Sequence, residues 1–261
     1  MHILLSNDDG IQARGIQTLR RYLEPVARIS LVAPERQRSA TGHAITMHKP
    51  LYATPVRYGP ASQGWRVNGT PADCVKLALG ALLPARPDLM LSGINHGSNL
   101  GLDVFYSGTV SAAMEAMFLG VPAMALSLED EDPAGFEWAA RFVRWWLTRP
   151  EFTLPPPGVV YNVNFPSLRR GIPRAMRAVR LGRREYVNDF QRARDPRGRE
   201  YFWIQGERVD ALEDENTDVF QHHQGAITLT PLHMHLTDEL TLERLEDIAV
   251  PSHLSDISPP P

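Results

Sequence analysis

The segment HILLSNDDGIQARG, residues 2–15, contains the first evidence for the fold. It opens with a short continuous apolar run, which ends in polar residues and Gly10, and a segment with helical spacing begins at about residue 15. A short apolar run of this kind is typical of a strand that is buried on both faces of a parallel sheet. The segment therefore predicts a strand, a polar turn and a helix in direct succession, which is the repeating unit of an α/β fold.

The same pattern recurs along the chain and predicts a doubly wound, mostly parallel sheet in a three-layer α/β/α fold. In such a fold the functional site lies outside the carboxyl ends of the strands. Residues 51–68 predict short antiparallel pieces at the sheet edge, and a short helix is expected near residues 240–248. The predicted strands are residues 2–6, 28–34, 87–93, 123–128, 159–165 and 226–232, and the predicted helices are residues 15–23, 71–83, 108–119 and 135–148.

The chain is predicted to have three regions. Residues 1–182 form the catalytic α/β core, and residues 209–261 form a tail of strand and helix that packs on the core or on a partner subunit. Between them, residues 183–208 have two strand-like flanks around DPRG at 195–198, a strong turn sequence, and predict a projecting β-hairpin. The aromatic residues at 201–203 are costly to leave in water, which favours an oligomer contact through this hairpin.

Composition excludes several classes of function. The chain has 261 residues, of which 43% are hydrophobic, and a formal net charge of -3, so no overall positive field is available to hold polymeric nucleic acid. The single cysteine, Cys74, cannot form an internal disulfide. No stretch resembles a membrane span or a signal peptide, so we expect a cytoplasmic protein without a membrane partner.

The acidic pair Asp8 and Asp9 follows the first predicted strand directly. Where the strand ends and Gly10 lets the backbone turn, the two side chains can converge on one point. Two carboxylates at one point repel unless a cation or a shared proton relieves them, and Mg²⁺ and Mn²⁺ prefer such oxygen ligands. A turn with solvated carboxylates is the alternative for the pair taken alone, but its place at the end of a buried strand favours a site.

Two further loops follow strands at the same predicted edge of the sheet. Residues 33–46 include Ser39, whose hydroxyl suits a metal or a phosphate. Residues 92–101, SGINHGSNLG, interleave glycine, asparagine and serine, so Asn95 offers an amide oxygen and the backbone near Gly97 offers amides to an anion. Each loop by itself is equally explained as an ordinary polar turn.

Two helix starts carry polar residues. At residues 106–116, YSGTVSAAMEA, Ser107 or Thr109 at the helix N-terminus predicts a cradle for phosphate, although a simple helix cap requires the same residue types. Residues 68–75, NGTPADCV, have the composition of a capping box, and a structural role is the better interpretation there.

Taken in chain order, the motifs SNDDG, RS, GTPADCV, SGINHGSNLG and YSGTVSAAMEA, with YNVNFP and ITLTPL nearer the end, resemble the stationary-phase survival protein family, the SurE-type nucleotidases. The resemblance implies a three-layer α/β core and a metal-dependent phosphatase that converts nucleoside 5′- and 3′-monophosphates to nucleoside and phosphate. It also implies a homodimer or homotetramer, assembled through C-terminal extensions that include the hairpin.

The resemblance also implies the roles of individual residues. Ala40 departs from the glycine expected after the serine, which bears on the local geometry of Ser39. The implied ligands of one Mg²⁺ or Mn²⁺ per subunit are Asp8, Asp9, Ser39 and Asn95, the first two of which are also the catalytic residues. The implied phosphate-binding residues are Asn95, Gly97, Ser107, Gly108 and Thr109.

Three alternatives remain open from the sequence. A phosphatase that forms an aspartyl-phosphate at Asp8 is one, although DDG lacks the alternating aspartates of the haloacid-dehalogenase group. A non-catalytic receiver module is another, since receivers also place an acidic pair after their first strand. A dehydrogenase or an NTPase is disfavoured, because neither G-x-G-x-x-G nor G-x-x-x-x-G-K-[ST] follows the first strand.

Overall fold

The computed structural model describes residues 1–60, 62–130 and 132–245. Within these ranges the chain forms a nine-stranded, mostly parallel sheet with helices on both faces, and a separate two-stranded hairpin. The predicted three-layer α/β fold is therefore confirmed. None of the helices in the described ranges combines the length and the apolar character needed to span a bilayer.

The regular elements follow the predicted alternation closely. The strands are β1 (His2–Ser6), β2 (Arg28–Pro34), β3 (Ala53–Gly59), β4 (Ser62–Val67), β5 (Leu89–His96), β6 (Ala123–Leu128), β7 (Val160–Phe165), β8 (Met176–Ala178), β9 (Arg184–Arg194), β10 (Glu200–Asp210) and β11 (Ile227–Leu232). The helices are α1 (Arg14–Leu23), α2 (Pro71–Leu77), α3 (Gly108–Phe118), α4 (Pro133–Leu147), α5 (Asp218–His223) and α6 (Glu239–Leu242).

The sheet order places the ends of three strands at one crevice. Its order is β3-β4-β2-β1-β5-β6-β7-β11-β8, and β1 pairs in parallel with both β2 and β5. The chain moves from β1 outward to β2 on one side and later returns to β5 on the other, so the direction of winding switches beside β1. Ligands in open α/β sheets bind at such a switch point, beyond the carboxyl ends of the strands.

Alternating side chains of the buried strands supply two hydrophobic cores. Leu5 and Leu31 point to the layer formed by α1 and α4, whereas Leu4 and Val32 point to the layer formed by α2 and α3. All four side chains are fully buried, and each contributes about 1.5–3 kcal/mol to folding through the area removed from water. Burial on both faces explains why these strands appear in the sequence as continuous apolar runs.

Two element boundaries differ clearly from the predictions, and two short elements were not predicted. The predicted helix 71–83 is α-helical only to Leu77 and continues as one wide π-helical turn, Ala78–Leu82. Strand β5 extends to His96, three residues beyond the predicted end at residue 93, because a bulge between Ser92 and Asn95 lets it keep pairing with β6. Helix α5 and strand β8 were not predicted, since segments of six and three residues carry too little periodicity.

The hairpin pairs over its whole length. Register runs from Arg184 opposite Asp210 to Arg194 opposite Glu200, slightly beyond the predicted 183–208. The predicted terminal helix near 240–248 is seen as α6, a single turn, and its predicted end lies outside the described residues.

A capping box starts α2, as the sequence indicated. The Thr70 hydroxyl accepts from the Asp73 amide at 3.1 Å, and the Asp73 carboxylate accepts from the Thr70 amide at 2.9 Å. The same carboxylate also accepts from the amide and the hydroxyl of Thr46, at 2.9 and 2.6 Å. Burial by itself raises the pKa of Asp73, but the hydrogen bonds from Thr46 and Thr70 outweigh it and hold this pKa below the ordinary value.

We expect Asp73→Ala to lower the free energy of unfolding by about 1–3 kcal/mol, because the amides of Thr46 and Thr70 lose their acceptor. Asp73→Asn is the matched variant, since it retains a side-chain oxygen.

The ionised form of Asp73 stabilises the fold fully above its ordinary pKa of 3.8, and this contribution is lost as the pH falls through the lower folded value. Urea titrations from about pH 5 to about pH 3 should show the difference between wild type and Asp73→Asn shrinking. A difference that does not change with pH contradicts this role.

Candidate active site

The turn after β1 is shaped by Asn7 and Gly10. The Asn7 amide nitrogen donates to the Gly10 carbonyl at 2.9 Å, and the Gly10 amide donates to the Asn7 side-chain oxygen at 3.2 Å. Gly10 has a φ of 100°, and a Cβ there would lie 3.2 Å from the backbone of Arg36. Asn7 therefore closes the turn that presents Asp8 and Asp9, a role that the sequence did not reveal.

Asp8 is a buried carboxylate at the N-terminus of α3. It is 5% exposed, and it accepts a hydrogen bond from the hydroxyl of Thr109, which is itself fully buried. Burial raises the pKa of Asp8 to about 6; the hydrogen bonds from Thr109 oppose this rise and the negative charge of Asp9 adds to it. The helix N-terminus supplies partial positive charge but not a full countercharge.

Asp9 is the second carboxylate of the turn. Its Oδ2 accepts from the backbone amide of His96 at 3.1 Å. Burial raises the pKa of Asp9, and the interactions with His96 oppose the rise. Within the described residues, no lysine or arginine forms an ion pair with Asp8 or Asp9. In the described part of the chain, the two carboxylates of this turn therefore have no lysine or arginine partner, and the charge of His96 lowers the pKa of Asp9.

The loop after β2 brings Ser39 to the same crevice. The Arg38 amide donates to the Asp8 carbonyl at 2.7 Å, which joins this loop to the end of β1. Ser39 is exposed, and its hydroxyl accepts from the Gln37 side chain at 2.8 Å. Ala40 has a φ of 53°, in the left-handed region that favours glycine. Ala40 thus adopts the left-handed conformation for which a glycine was expected at this position.

The end of β5 supplies Asn95 and Gly97. The Asn95 amide nitrogen donates to the Gly97 carbonyl at 2.8 Å. The amide oxygen of Asn95 is therefore the atom that this side chain could offer to a cation. The Gly97 amide donates to the Leu128 carbonyl at 2.7 Å. Gly93 permits the preceding bulge, because a Cβ on it would lie 2.2 Å from the carbonyl oxygen of Leu126.

A buried asparagine cluster fixes the loop that follows. Asn99 donates from its backbone amide to the Asn164 side chain at 2.7 Å and from its side chain to Ser127 at 2.8 Å. Its carbonyl accepts from the side chains of Asn162 and Asn164, at 2.8 and 3.2 Å. These bonds anchor the loop after β5 to β6 and β7. The sequence shows the YNVNF pattern, but it does not show that both asparagines face the same loop.

Most of the predicted site residues meet around one cavity. This cavity of about 850 Å³ lies beyond the carboxyl ends of β1, β2 and β5. Asp9 faces a neighbouring cavity of about 330 Å³ instead, and Gly108 and Thr109 lie directly behind Asp8. The predicted residues that line the large cavity are Asp8, Ser39, Asn95, Gly97 and Ser107.

Ser107 serves as the N-cap of α3. Its hydroxyl accepts from the Val110 amide at 3.1 Å, and its carbonyl accepts from the hydroxyl of Ser111 at 2.7 Å. The sequence suggested that the Thr109 hydroxyl faces outward. In the structure it instead donates to Asp8. Both functions of this segment, capping the helix and supporting the site, therefore occur together.

The base of the hairpin forms the opposite wall of the cavity. Arg184, which is 2% exposed, donates to Asp103 at 2.6 Å and to Asp210 at 2.7 and 3.1 Å. The Tyr186 hydroxyl donates to the other oxygen of Asp103 at 2.5 Å. Burial and the Asp103 carboxylate raise the pKa of Tyr186 to about 12, so the phenol stays protonated. Sequence reasoning missed this network because Asp103 and Arg184 are 81 residues apart.

The donor chemistry at the crevice fits a hard divalent cation. Two carboxylates with raised pKa values, a hydroxyl and an amide oxygen are the ligand types that Mg²⁺ and Mn²⁺ prefer. Among the described residues, no group of three or more His, Cys, Asp or Glu side chains is arranged to hold a metal, so a cation here would also use neutral oxygens.

The comparisons with known proteins identify the family. The family model "Survival protein SurE" matches residues 3–188. The chain belongs to the SurE family. This match covers every predicted site residue and the first strand of the hairpin up to Asn188, and it confirms the resemblance seen in the motifs.

Known SurE proteins match almost the whole chain. "5′-nucleotidase SurE" of Pelotomaculum thermopropionicum is 49% identical over 250 residues, 95% of both chains. "5′-nucleotidase SurE" of Moorella thermoacetica is 50% identical over 239 residues, 91% of this chain and 92% of that one. The crystal structure of the SurE protein from Aquifex aeolicus has a TM-score of 0.79 and 35% identity, and covers 98% of this chain and 100% of its own.

We expect Gly108→Ala to impair the site while leaving the fold intact. A Cβ at this position would lie 2.7 Å from the Cβ of Asp8 and 3.0 Å from its Oδ2, so the carboxylate must move. Hydrolysis of AMP, assayed as release of inorganic phosphate, should fall by about 10- to 100-fold, as expected of a misplaced reacting group. Gly80→Ala is the matched control, since its Cβ would meet nothing within 4 Å. Equal activity of the two variants contradicts this role of Gly108.

Proposed function

We propose that the chain hydrolyses nucleoside 5′-monophosphates to nucleoside and inorganic phosphate, using one divalent cation, Mg²⁺ or Mn²⁺, per subunit. The single observation that carries this proposal is the carboxylate pair in the turn after β1, in which Asp8 is buried and lines a cavity that also receives Ser39 and Asn95, and Asp9 lies next to it in the chain. The relatives named 5′-nucleotidase, which match more than nine tenths of both chains, support the reaction.

The proposed ligands of the cation are Asp8, Asp9, Ser39 and Asn95. When bound, the cation neutralises charge on the phosphoryl group and lowers the pKa of a water molecule. Asp8 and Asp9 are the proposed catalytic residues because they carry the negative charge of the turn after β1, where Asp8 lines the large cavity. Thr109 holds the Asp8 carboxylate in position through its hydroxyl.

The phosphate group would bind where α3 begins. Gly97 and Ser107 line the cavity beside Asp8, and Gly108 and Thr109 form the first turn of the helix. The partial positive charge of a helix N-terminus and its free amides favour an anion. Together with Asn95, these residues are the proposed phosphate-binding set, and they stabilise the equatorial oxygens as the phosphoryl group is transferred.

The proposal extends to nucleoside 3′-monophosphates. The cavity of about 850 Å³ is within the upper range of small-molecule sites. A site of this size leaves space for the ribose to turn while the phosphate stays at the same end. Release of phosphate from 3′-AMP by the same enzyme would support this extension.

We also propose that the chain assembles as a homodimer or homotetramer through its hairpin. The described hairpin exposes large apolar side chains that are costly to leave in water. The most exposed of them are Val187, Phe190, Trp203 and Ile204, with exposed fractions of 60, 58, 63 and 76%.

We expect Asp8→Asn to retain the fold and to lose AMP hydrolysis by about 100- to 10,000-fold, because the amide lacks the negative charge with which Asp8 would hold the cation. The variant keeps an oxygen that accepts from Thr109, so its circular dichroism should match wild type. Asp189→Asn, on the exposed surface of the hairpin, is the control and should behave as wild type. Phosphate release by Asp8→Asn at the wild-type rate would remove Asp8 from the mechanism. Wild-type enzyme that is recovered phosphorylated on Asp8 after acid quench would show instead that Asp8 is the nucleophile.

Removal of divalent cations is the second test. Wild-type enzyme dialysed against EDTA should release no phosphate from AMP, and addition of MnCl₂ or MgCl₂ should restore the activity, because two adjacent buried carboxylates require a countercharge to bind an anionic substrate. Enzyme that stays fully active after EDTA treatment contradicts the proposed cofactor.

A further inference from the structure

Four apolar or aromatic side chains form part of the wall of the large cavity. Leu102 and Tyr106 precede α3, Tyr186 lies near the base of the hairpin, and Ile204 lies midway along it, opposite Phe190. Their exposed fractions are 46, 64, 44 and 76%. Large apolar groups gathered in the open around one cavity indicate a surface that a ligand covers.

This wall is held in place by the chain itself. Both carboxylate oxygens of Asp103 are engaged, one by Arg184 and the other by the hydroxyl of Tyr186. Beneath them, Asp218 is fully buried and accepts from the backbone amides of Gly101 and Gly182 at 3.0 and 2.6 Å. Each carboxylate oxygen of Asp103 already accepts a hydrogen bond from the protein. Asp103 therefore serves to position the wall. A wall fixed in advance loses little conformational freedom when a ligand binds.

The lining of the cavity combines two kinds of chemistry. Asp8 and the N-terminus of α3 suit a cation and a phosphate. Two exposed phenol rings and two aliphatic side chains line the same cavity. A nucleoside monophosphate requires both kinds, since it joins an anion to a flat heteroaromatic ring.

We propose that Tyr106 and Tyr186 form the subsite that binds the nucleobase, so that the base of the hairpin belongs to the active site of its own chain. This inference rests on the proposed nucleotidase function. Stacking on an aromatic ring is available to every base, since each has a π face. The subsite therefore selects nucleotides over phosphomonoesters that lack a ring, and it discriminates little between purines and pyrimidines.

The test replaces each ring with an aliphatic side chain. Tyr106→Leu and Tyr186→Leu should each raise the KM for AMP by about 5- to 50-fold, the loss expected of one stacking partner. The kcat/KM for glycerol 2-phosphate, which has no ring, should stay within about twofold of wild type. Tyr106→Phe keeps the ring and should restore the wild-type KM for AMP, whereas Tyr186→Phe keeps the ring but loses the hydrogen bond to Asp103 and should give a KM between those of wild type and Tyr186→Leu. Tyr52→Leu is the matched control, because Tyr52 is 65% exposed and does not line this cavity.

A binding measurement separates this proposal from the proposed function. Calorimetric titration with adenosine requires no turnover, and the leucine variants should bind adenosine about 5- to 50-fold more weakly while their affinity for inorganic phosphate is unchanged. Unchanged adenosine binding, or an equal loss for AMP and glycerol 2-phosphate, overturns the subsite. Wild-type enzyme that binds adenosine but releases phosphate from neither ester, with Mn²⁺ present, overturns the proposed function and leaves the subsite standing.

Discussion

The burial of the Asp8 carboxylate against the start of α3 is the constraint on which the rest of the site depends. Removing a carboxylate from water costs several kcal/mol unless other groups compensate. This cost is comparable to the whole free energy of unfolding of a typical domain. Thr109 and the helix N-terminus supply part of the compensation, and the raised pKa of Asp8 shows that it is incomplete. Gly108 makes the close approach possible because it has no Cβ. The remaining deficit is what the proposed divalent cation would satisfy.

The parallel sheet explains why the other donors come to the same place. The strands β1, β2 and β5 are adjacent and run in one direction, so the loops that carry Ser39 and Asn95 meet the turn of Asp8. Hydrogen bonds from neighbouring strands then restrict these loops, most clearly the buried cluster around Asn99. Polar groups in a buried network specify one arrangement, since each unsatisfied member would cost free energy.

The hairpin links the site to the periphery of the molecule. Arg184 lies between Asp103 and Asp210 and is almost completely buried, so removal of Arg184 would leave two carboxylates without their shared cation. This triad joins the hairpin to the segment before α3 and therefore to the wall of the cavity. One element thus serves both the proposed nucleobase subsite near its base and the proposed assembly surface along its length.

The sequence by itself determined the order of strands and helices, the edge of the sheet where function lies, the capping box at Asp73 and the hairpin, because these depend on periodicity and turn chemistry within about a dozen residues. Its motifs also identified the family. Only the tertiary structure decided that Thr109 supports Asp8 across 101 residues, that Asp9 faces a second cavity, and that Arg184 closes the wall. These contacts depend on how elements far apart in the chain pack together. Local sequence patterns contain no information about the distance between such elements or about their relative orientation.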